Sequence, residues 1–528
     1  MSADSLSPSD LRIGDLLARN VASKPNAMAV IEPQGATRTW AELSADTARL
    51  AGGLTALGLK RGDRVAMIVR NGAGAIEALF AAARAGHVGI PINYGLTPAE
   101  VGVIFEDSEP EAILVDDAFV AAYRVQIEAA HAIVIVRGST GHRADGWHDE
   151  RTVKAAATPF DEASVHPDDI RTIRYTSGTT AAPKGCLGTH RQILSSIANF
   201  FRELDVPDAP FLQLLPLFSG AGIWMAFAAA YHGIANVVPE SFRPDEALRA
   251  IAEHRVGHAC GVPTMLGRLC DAFEAGDYDL SSLKLFGYTG APMPPRVIRK
   301  ALNQLPCGFY QGFGGGEMGG LVSYLKPEDH PRTSDGDQDL ARRLVTAGRP
   351  AKYAELVIRS PDGAALPVGE PGEISVRSAS NFAGYHNRPE ETARTLRGEW
   401  VYTGDVGFLD EEGMLHVIDR LKDMIITGGM NVSTAEVEAV LMDHPAVKGA
   451  AVFGLPDDGW GEVVTAAVVL HDGIALAEPE LIVWARHRLA GYKAPKAVKF
   501  IDSFPMNSAG KILKRELRAR FAPATVSA

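Results

Sequence analysis

The chain has 528 residues, 46% of them hydrophobic and 22% charged, with a formal net charge of −12. That length implies more than one hydrophobic core. The acidic balance, with no basic stripe gathered on one element, argues against a nucleic-acid footprint. Four cysteines (Cys186, Cys260, Cys270, Cys307) show no paired metal spacing and fit a reducing compartment.

The N-terminal stretch MSADSLSPSDLRIGDLL lacks the basic start and apolar centre of a secretory signal. Beyond it, strand-like and helix-like patterns alternate. Residues 64–70 (RVAMIVR) read as a buried strand and 75–85 as a helix. Residues 88–93 read as a strand, 98–107 as a helix, and 112–115 and 132–136 as strands with a helix between. The polar stretch 138–151 reads as a surface loop. The most apolar segment, 221–231, is too short to span a bilayer and reads as a buried helix. No integral membrane segment is expected, and the expected location is the cytoplasm.

Strand–helix alternation implies parallel sheets covered by helices. Past Asp419 a smaller set follows: a helix at 434–442, strands at 449–453 and 463–470, a helix at 480–489 and a strand at 497–501. The expected fold is therefore α/β. A large N-terminal domain (1–419) of packed, mostly parallel sheets precedes a small mobile α/β cap (420–528).

Four segments carry chemistry. Residues 175–185 (YTSGTTAAPKG) crowd glycines and small hydroxyls before Lys184, so backbone N–H groups and hydroxyls can surround an anion. The segment is not a kinase-type P-loop, since Pro183 precedes the lysine and Gly185 follows it. Residues 311–317 (QGFGGGE) let backbone approach a flat ligand, with Phe313 able to stack and Glu317 suited to Mg²⁺. Taken alone, that segment reads equally as a glycine-rich turn with an incidental acid. Asp405 in WVYTGD and Arg420 in the IDRLKD run can hold two ribose hydroxyls, or form a charged surface connector. Lys511, after Ser508, Ala509 and Gly510, can be carried on a loop to a negatively charged transition state; standing alone it would be a solvated lysine.

In this order, the four resemble the acyl-adenylate-forming superfamily of acyl-CoA synthetases, peptide-synthetase adenylation domains and luciferases. Further matches are RTWAEL at 38–43, GYTGAP at 287–292, GEISVR at 372–377, Gly384–Tyr385 and GLPDDGWG at 454–461. The resemblance implies ATP, Mg²⁺ and coenzyme A as the groups used, and a small carboxylic acid as substrate. Thr176, Ser177, Gly178, Thr179, Thr180 and Lys184 would hold phosphates. Gly290, Ala291 and Pro292 would border adenine, with Gln311, Gly312, Phe313, Gly314 and Gly316 beside it. Asp405, Ile418 and Arg420 would serve the ribose. Glu317 and Thr176 would serve the metal, and Lys511, with these two, the reaction.

Lys422 resembles the family's hinge. Rotation there would replace Lys511 with Gly428, Gly429, Met430 and Asn431, whose glycines leave room for a pantetheine arm. Trp460 and Tyr492 read equally as coenzyme A contacts or core aromatics. The acyl pocket would be formed by Phe218, Ser219, Gly220, Trp224, Tyr288, Gly312, Gly314 and Gly315. These residues supply no fixed cation, so a fatty, aromatic or alicyclic acid is expected. Relatives are monomers or dimers, so a homodimer is compatible with the resemblance.

The chain departs from the family at Ala181 for glycine, Ser219 for histidine, Phe313 for tyrosine and Gly316 for threonine. An amino-acid-activating domain would place an aspartate within 218–224, which reads FSGAGIW. With no carrier domain expected after Lys511, a free-standing ligase fits better, and loading of a separate carrier protein stays open. A non-catalytic nucleotide-binding protein would be expected to lose Lys511, Glu317 or Asp405; all three are present.

Overall fold

The computed structural model describes residues 10–138, 141, 144–176, 183–291, 293–330, 343–457, 459–506 and 512–522. The chain clusters into two compact units, Met1–Leu356 with Val376–Tyr402, and Val357–Ser375 with Thr403–Ala528.

In the first unit, one sheet runs in the order Gly384–Tyr385, Lys184–Thr189, Ile170–Thr176, Val88–Pro91, Arg64–Ile68, Ala112–Asp116, Ile133–Arg137 and His148–Asp149. Its central strands are parallel, each linked to the next by a helix. Pleating decides which core each residue joins. Val65 and Met67 enter the large core shared with the other sheet, whereas Ala66 and Ile68 enter the outer core beneath the Pro98–Ser108 and Asp117–Ala129 helices. Burial on both faces explains why these strands read as continuous apolar runs.

The second sheet places Gly308–Gly315 between Gly320–Leu325, antiparallel, and Leu285–Thr289, parallel. His258–Gly261, Phe211–Gln213 and the N-terminal strands follow. Helices His190–Glu203 and Gly220–His232 contribute to the core shared with the first sheet; Pro263–Ala275 and Pro295–Gln304 cover the outer face.

The expected elements at 64–70, 75–85, 88–93, 98–107, 112–115 and 132–136 are present, with ends shifted by a few residues. The stretch 138–151 is not wholly loop. It ends in the His148–Asp149 strand and opens the Glu150–Ala155 helix. Asp149 caps that helix by accepting from Arg151 N (2.8 Å), and buried Glu150 takes a two-pronged bond from half-buried Arg137 at 2.6 and 2.9 Å. Charges read as solvated are thus spent on a buried ion pair.

Within the second unit, Gly461–Leu470 pairs with Val447–Asp457 and Ile425–Thr427 antiparallel, and with Ala497–Phe500 parallel. Helices Thr434–Met442 and Glu478–Arg486 pack on one face, contributing Val437, Leu441, Leu481 and Ala485 to its core. Residues 419 and 420 fall at the end of the Leu415–Arg420 strand. No helix among the described residues is long and apolar enough to cross a membrane.

Candidate active site

The segment expected to grip phosphates is flanked by two paired strands. Ile170–Thr176 and Lys184–Thr189 pair antiparallel, and Thr176 faces Lys184 across the last rung. Ser177, Gly178, Thr179, Thr180 and Ala181, together with the side chain of Thr176, lie outside the described residues. Lys184 is held at the hairpin's end with its ammonium 5.1 Å from the centre of the Tyr385 ring.

Tyr385 links this hairpin to Glu317. Gly384–Tyr385 adds an antiparallel strand to Lys184–Thr189, and the Tyr385 hydroxyl donates to Glu317 Oε1 at 2.7 Å. Phe382 N donates to Glu317 O at 2.8 Å, so the backbone of the acid is fixed as well. Burial first, then the charge of Glu317, raises the Tyr385 pKa, which keeps the phenol a donor. One carboxylate oxygen is thereby oriented by a neutral partner rather than neutralised by a cation. A hard cation such as Mg²⁺ takes one or two carboxylates and completes its shell with phosphate oxygens and water. Glu317, and Lys184 over the Tyr385 ring, suit that chemistry.

The glycine-rich strand is shaped by its neighbour. Register slips by one residue after Phe313, so that Gly314 lies opposite Leu321 and Gly315 opposite Gly320. A methyl group on Gly314 would stand 1.9 Å from Gly320 O, so the two backbones require glycine there. Thr289 Oγ1 donates to Gly312 O at 2.8 Å and ties the strand to the segment leading to Gly290 and Ala291. Pro292 lies outside the described residues.

The acyl-pocket candidates divide. Phe218 meets the Tyr94 ring edge-on at 5.1 Å. Trp224 Nε1 donates to Ser196 Oγ at 3.0 Å, and a methyl on Gly320, the partner of Gly315, would lie 3.1 Å from that nitrogen. Trp224 and Gly315 are therefore brought together. Tyr288 goes elsewhere: it is fully buried, donates to or accepts from His330 Nε2 at 2.8 Å, and belongs to the outer core with Phe286 and Phe309. Adjacent residues of a strand point to opposite faces, and Tyr288 lies one position out of phase with Gly287, whose face carries Tyr310 and the inner core.

Ser219 is a helix cap. Its hydroxyl accepts from Gly222 N at 3.0 Å and donates to Pro216 O at 2.7 Å, starting the Gly220–His232 helix. Both bonds are used locally. We expect Ser219→Ala to cost about 1 kcal/mol through loss of this cap, seen as a lower urea midpoint, with a smaller effect on turnover.

Arg174 was not among the sequence candidates. It projects from the hairpin strand, donates from Nη2 to Gly316 O at 3.1 Å, and lies so near Gly220 that a methyl there would come within 2.3 Å of Nη1. The expectation of a pocket without a fixed cation is corrected at this point. The available signal was the two arginines, Arg171 and Arg174, set into the strand-like run IRTIRY directly before the glycine-rich segment.

In the second unit, the antiparallel pairing of Trp400–Leu409 with Leu415–Arg420 sets Asp405 opposite Arg420, whose Nε lies 2.7 Å from Asp405 Oδ1. Asp405 is 7% exposed. Thr403 Oγ1 accepts from Asp405 N at 3.1 Å and donates to Ile374 O at 2.8 Å, while Ile418 contributes its carbonyl to Ser433 Oγ at 2.8 Å. Gly428 and Gly429 form a two-residue hairpin turn with φ of 56° and 77°. Left-handed backbone at both positions is the geometry of a tight hairpin, which already demands glycine. Trp460 rests against Gly428, and Gly428 N donates to Trp460 O at 2.8 Å. Tyr492 packs against this unit's core, and Lys422 follows the Leu415–Arg420 strand. Lys511 lies outside the described residues; the flanking Met506 and Ile512 are bridged to each other.

Residues 17–386 match the family described as AMP-binding enzyme, and 436–511 match the AMP-binding enzyme C-terminal domain. A feruloyl-CoA synthase from Amycolatopsis sp. is 36% identical over 518 residues, covering 96% of this chain and 99% of that one. The amide bond synthetase McbA of Marinactinospora thermotolerans superposes with a TM-score of 0.85 at 30% identity, over 97% of this chain and 100% of its own. The o-succinylbenzoate CoA synthetase MenE of Bacillus subtilis, solved with the acyl-adenylate intermediate OSB-AMP, gives a TM-score of 0.84 at 28% identity over 97% and 99% of the two chains.

Proposed function

The chain belongs to the AMP-binding enzyme family, and on that premise we propose that it is an ATP-dependent carboxylic acid–CoA ligase working through an acyl-adenylate. The observation that carries this reading is the half-buried bond from Tyr385 to Glu317, with Lys184 over the Tyr385 ring at the end of the phosphate hairpin. ATP with Mg²⁺ supplies the activated phosphorus and a pyrophosphate leaving group. This chain's residues then have three tasks.

Glu317 orients the metal-bearing end, with Tyr385 holding one of its oxygens. Lys184 and the hairpin backbone balance phosphate charge. Asp405 accepts the ribose hydroxyls while Arg420 keeps that carboxylate in place. Positioning and charge compensation are most of what such a transfer requires. Lys511 adds the charge that draws the acid's carboxylate and the α-phosphate together.

Residues 420–528 are proposed as the domain that exchanges Lys511 for Gly428–Asn431 between half-reactions, hinged at Lys422. The tail of the acid is proposed to be apolar, since Phe218, Trp224 and the glycines offer it little polarity. The cytoplasm and a homodimer complete the proposal.

The test is pyrophosphate release with ATP and Mg²⁺ over a panel of acids, each with and without coenzyme A. Thioester that accumulates only with coenzyme A, for one class of acid, supports the ligase. Adenylate that coenzyme A never discharges would transfer the reading to another acceptor. An amine or a carrier protein is then next, the likeness to an amide bond synthetase making the amine the first to try.

A further inference from the structure

The Ile170–Thr176 strand carries two arginines on the face toward the inner helices, and neither meets a carboxylate among the described residues. Arg171 is 6% exposed. Its Nε donates to Thr189 O at 3.3 Å and its guanidinium lies 5.5 Å from the Phe227 ring centre. Burial, and then the charge of Arg174, push its pKa down to about 9. The nearby His190 is kept neutral and adds no charge of its own: burial, then Arg171, push its pKa down to about 3, and its Nδ1 accepts from Ile13 N. Arg174 makes its one described bond to Gly316 O, and its buried Nε has no partner.

Two other arginines that reach into this unit are matched. Arg137 pairs with Glu150, and Arg84 with Glu162, each through two bonds. An unmatched guanidinium is costly to bury. Arg174 stands, moreover, by the first residue of the Gly220–His232 helix, where the helix dipole is positive and repels it. Arg171 repels it from the same strand. An anion received there relieves all three penalties.

The position says which anion. Gly316 directly precedes Glu317, and Gly220 lies one helical turn before Trp224. The guanidinium therefore stands between the metal-side carboxylate and the apolar tail pocket, where the acid's reacting end would lie. Resting on the ligase reading above, we propose that Arg174 receives the reacting carboxylate of the acid substrate and holds it for attack. A planar guanidinium with five N–H donors, of which one bond, to Gly316 O, is described, matches a carboxylate in shape as well as charge.

The test compares Arg174→Met and Arg174→Lys in the full chain, using the acid that gives most thioester with the unaltered enzyme. For Arg174→Met, KM for the acid should rise by about 10²-fold while KM for ATP stays within about twofold; Arg174→Lys should recover at least about tenfold of the loss. A purely structural role would lower the melting temperature and the yield of active enzyme without this split and without rescue by lysine.

An unchanged acid KM in Arg174→Met overturns the inference, as does an equal rise in the KM for ATP, which would assign the guanidinium to the triphosphate. A loss confined to dicarboxylic acids also overturns it, because the cation would then read the tail. If Arg174→Met does not fold, Arg174→Gln and Arg174→Lys are compared in the same way. Absence of thioester from the unaltered enzyme with every acid removes the ligase reading itself, a separate outcome.

Discussion

Replacing Lys511 by alanine is expected to lower acid-dependent pyrophosphate release by about 10³-fold or more, while transfer from a pre-formed acyl-adenylate to coenzyme A falls by no more than about threefold. The asymmetry follows from charge. In the first half-reaction a carboxylate approaches an α-phosphate already bearing negative charge, and each ångström of approach raises the repulsion. A lysine reaching both groups offsets that repulsion most where they are closest, which is the condition for lowering a barrier rather than tightening binding. In the second half-reaction the acyl group is already activated, and a neutral thiol or its thiolate gains little from the same ammonium. Measuring both half-reactions on one preparation separates the roles. Equal loss in both would end the assignment of Lys511 to adenylation.

Glu317→Gln is expected to reduce kcat by about 10²–10³-fold and to raise the Mg²⁺ concentration for half-maximal rate by at least about tenfold. Glutamine keeps the shape and can still accept from the Tyr385 hydroxyl at the 2.7 Å now observed, so folding should be spared. What it loses is the anionic oxygen. Tyr385→Phe provides the companion measurement. The carboxylate keeps its charge but loses its orienting donor and is left partly desolvated, so a loss of about tenfold is expected, with a smaller change in Mg²⁺ dependence. A Glu317→Gln enzyme with unaltered Mg²⁺ titration would remove Glu317 from the metal's neighbourhood.

Much of the fold was legible before any coordinates. The apolar strands around 64–68, 88–91 and 112–116 announce themselves because both faces are buried. The glycine-rich segment was legible as a run, and at Gly314 the close approach of Gly320 O gives the reason for one of its glycines. Asp405 and Arg420 were proposed as partners, and the hairpin register does set them opposite one another.

Other readings failed for identifiable reasons. Tyr288 was grouped with Trp224 although strand parity sends it to the other core. Gly428 and Gly429 were read only as room for a ligand; their positive φ adds a local reason for glycine, the two-residue turn, that the reading had not included. The 138–151 stretch looked solvated because its charges have partners outside the window in which they were read.

What the chain's sequence determined alone was everything carried by short-range pattern: the α/β alternation, the glycine runs, the motif lysines and acids, and with them the family. The tertiary structure alone decided which of these groups touch. Tyr385 reaches Glu317 across 68 residues, and Arg174 reaches Gly316 across 142. Such contacts depend on strand order, register and the alternation of the pleat, each set by packing between distant segments. A one-residue change of register would send any of these side chains to the opposite face without altering a single local motif.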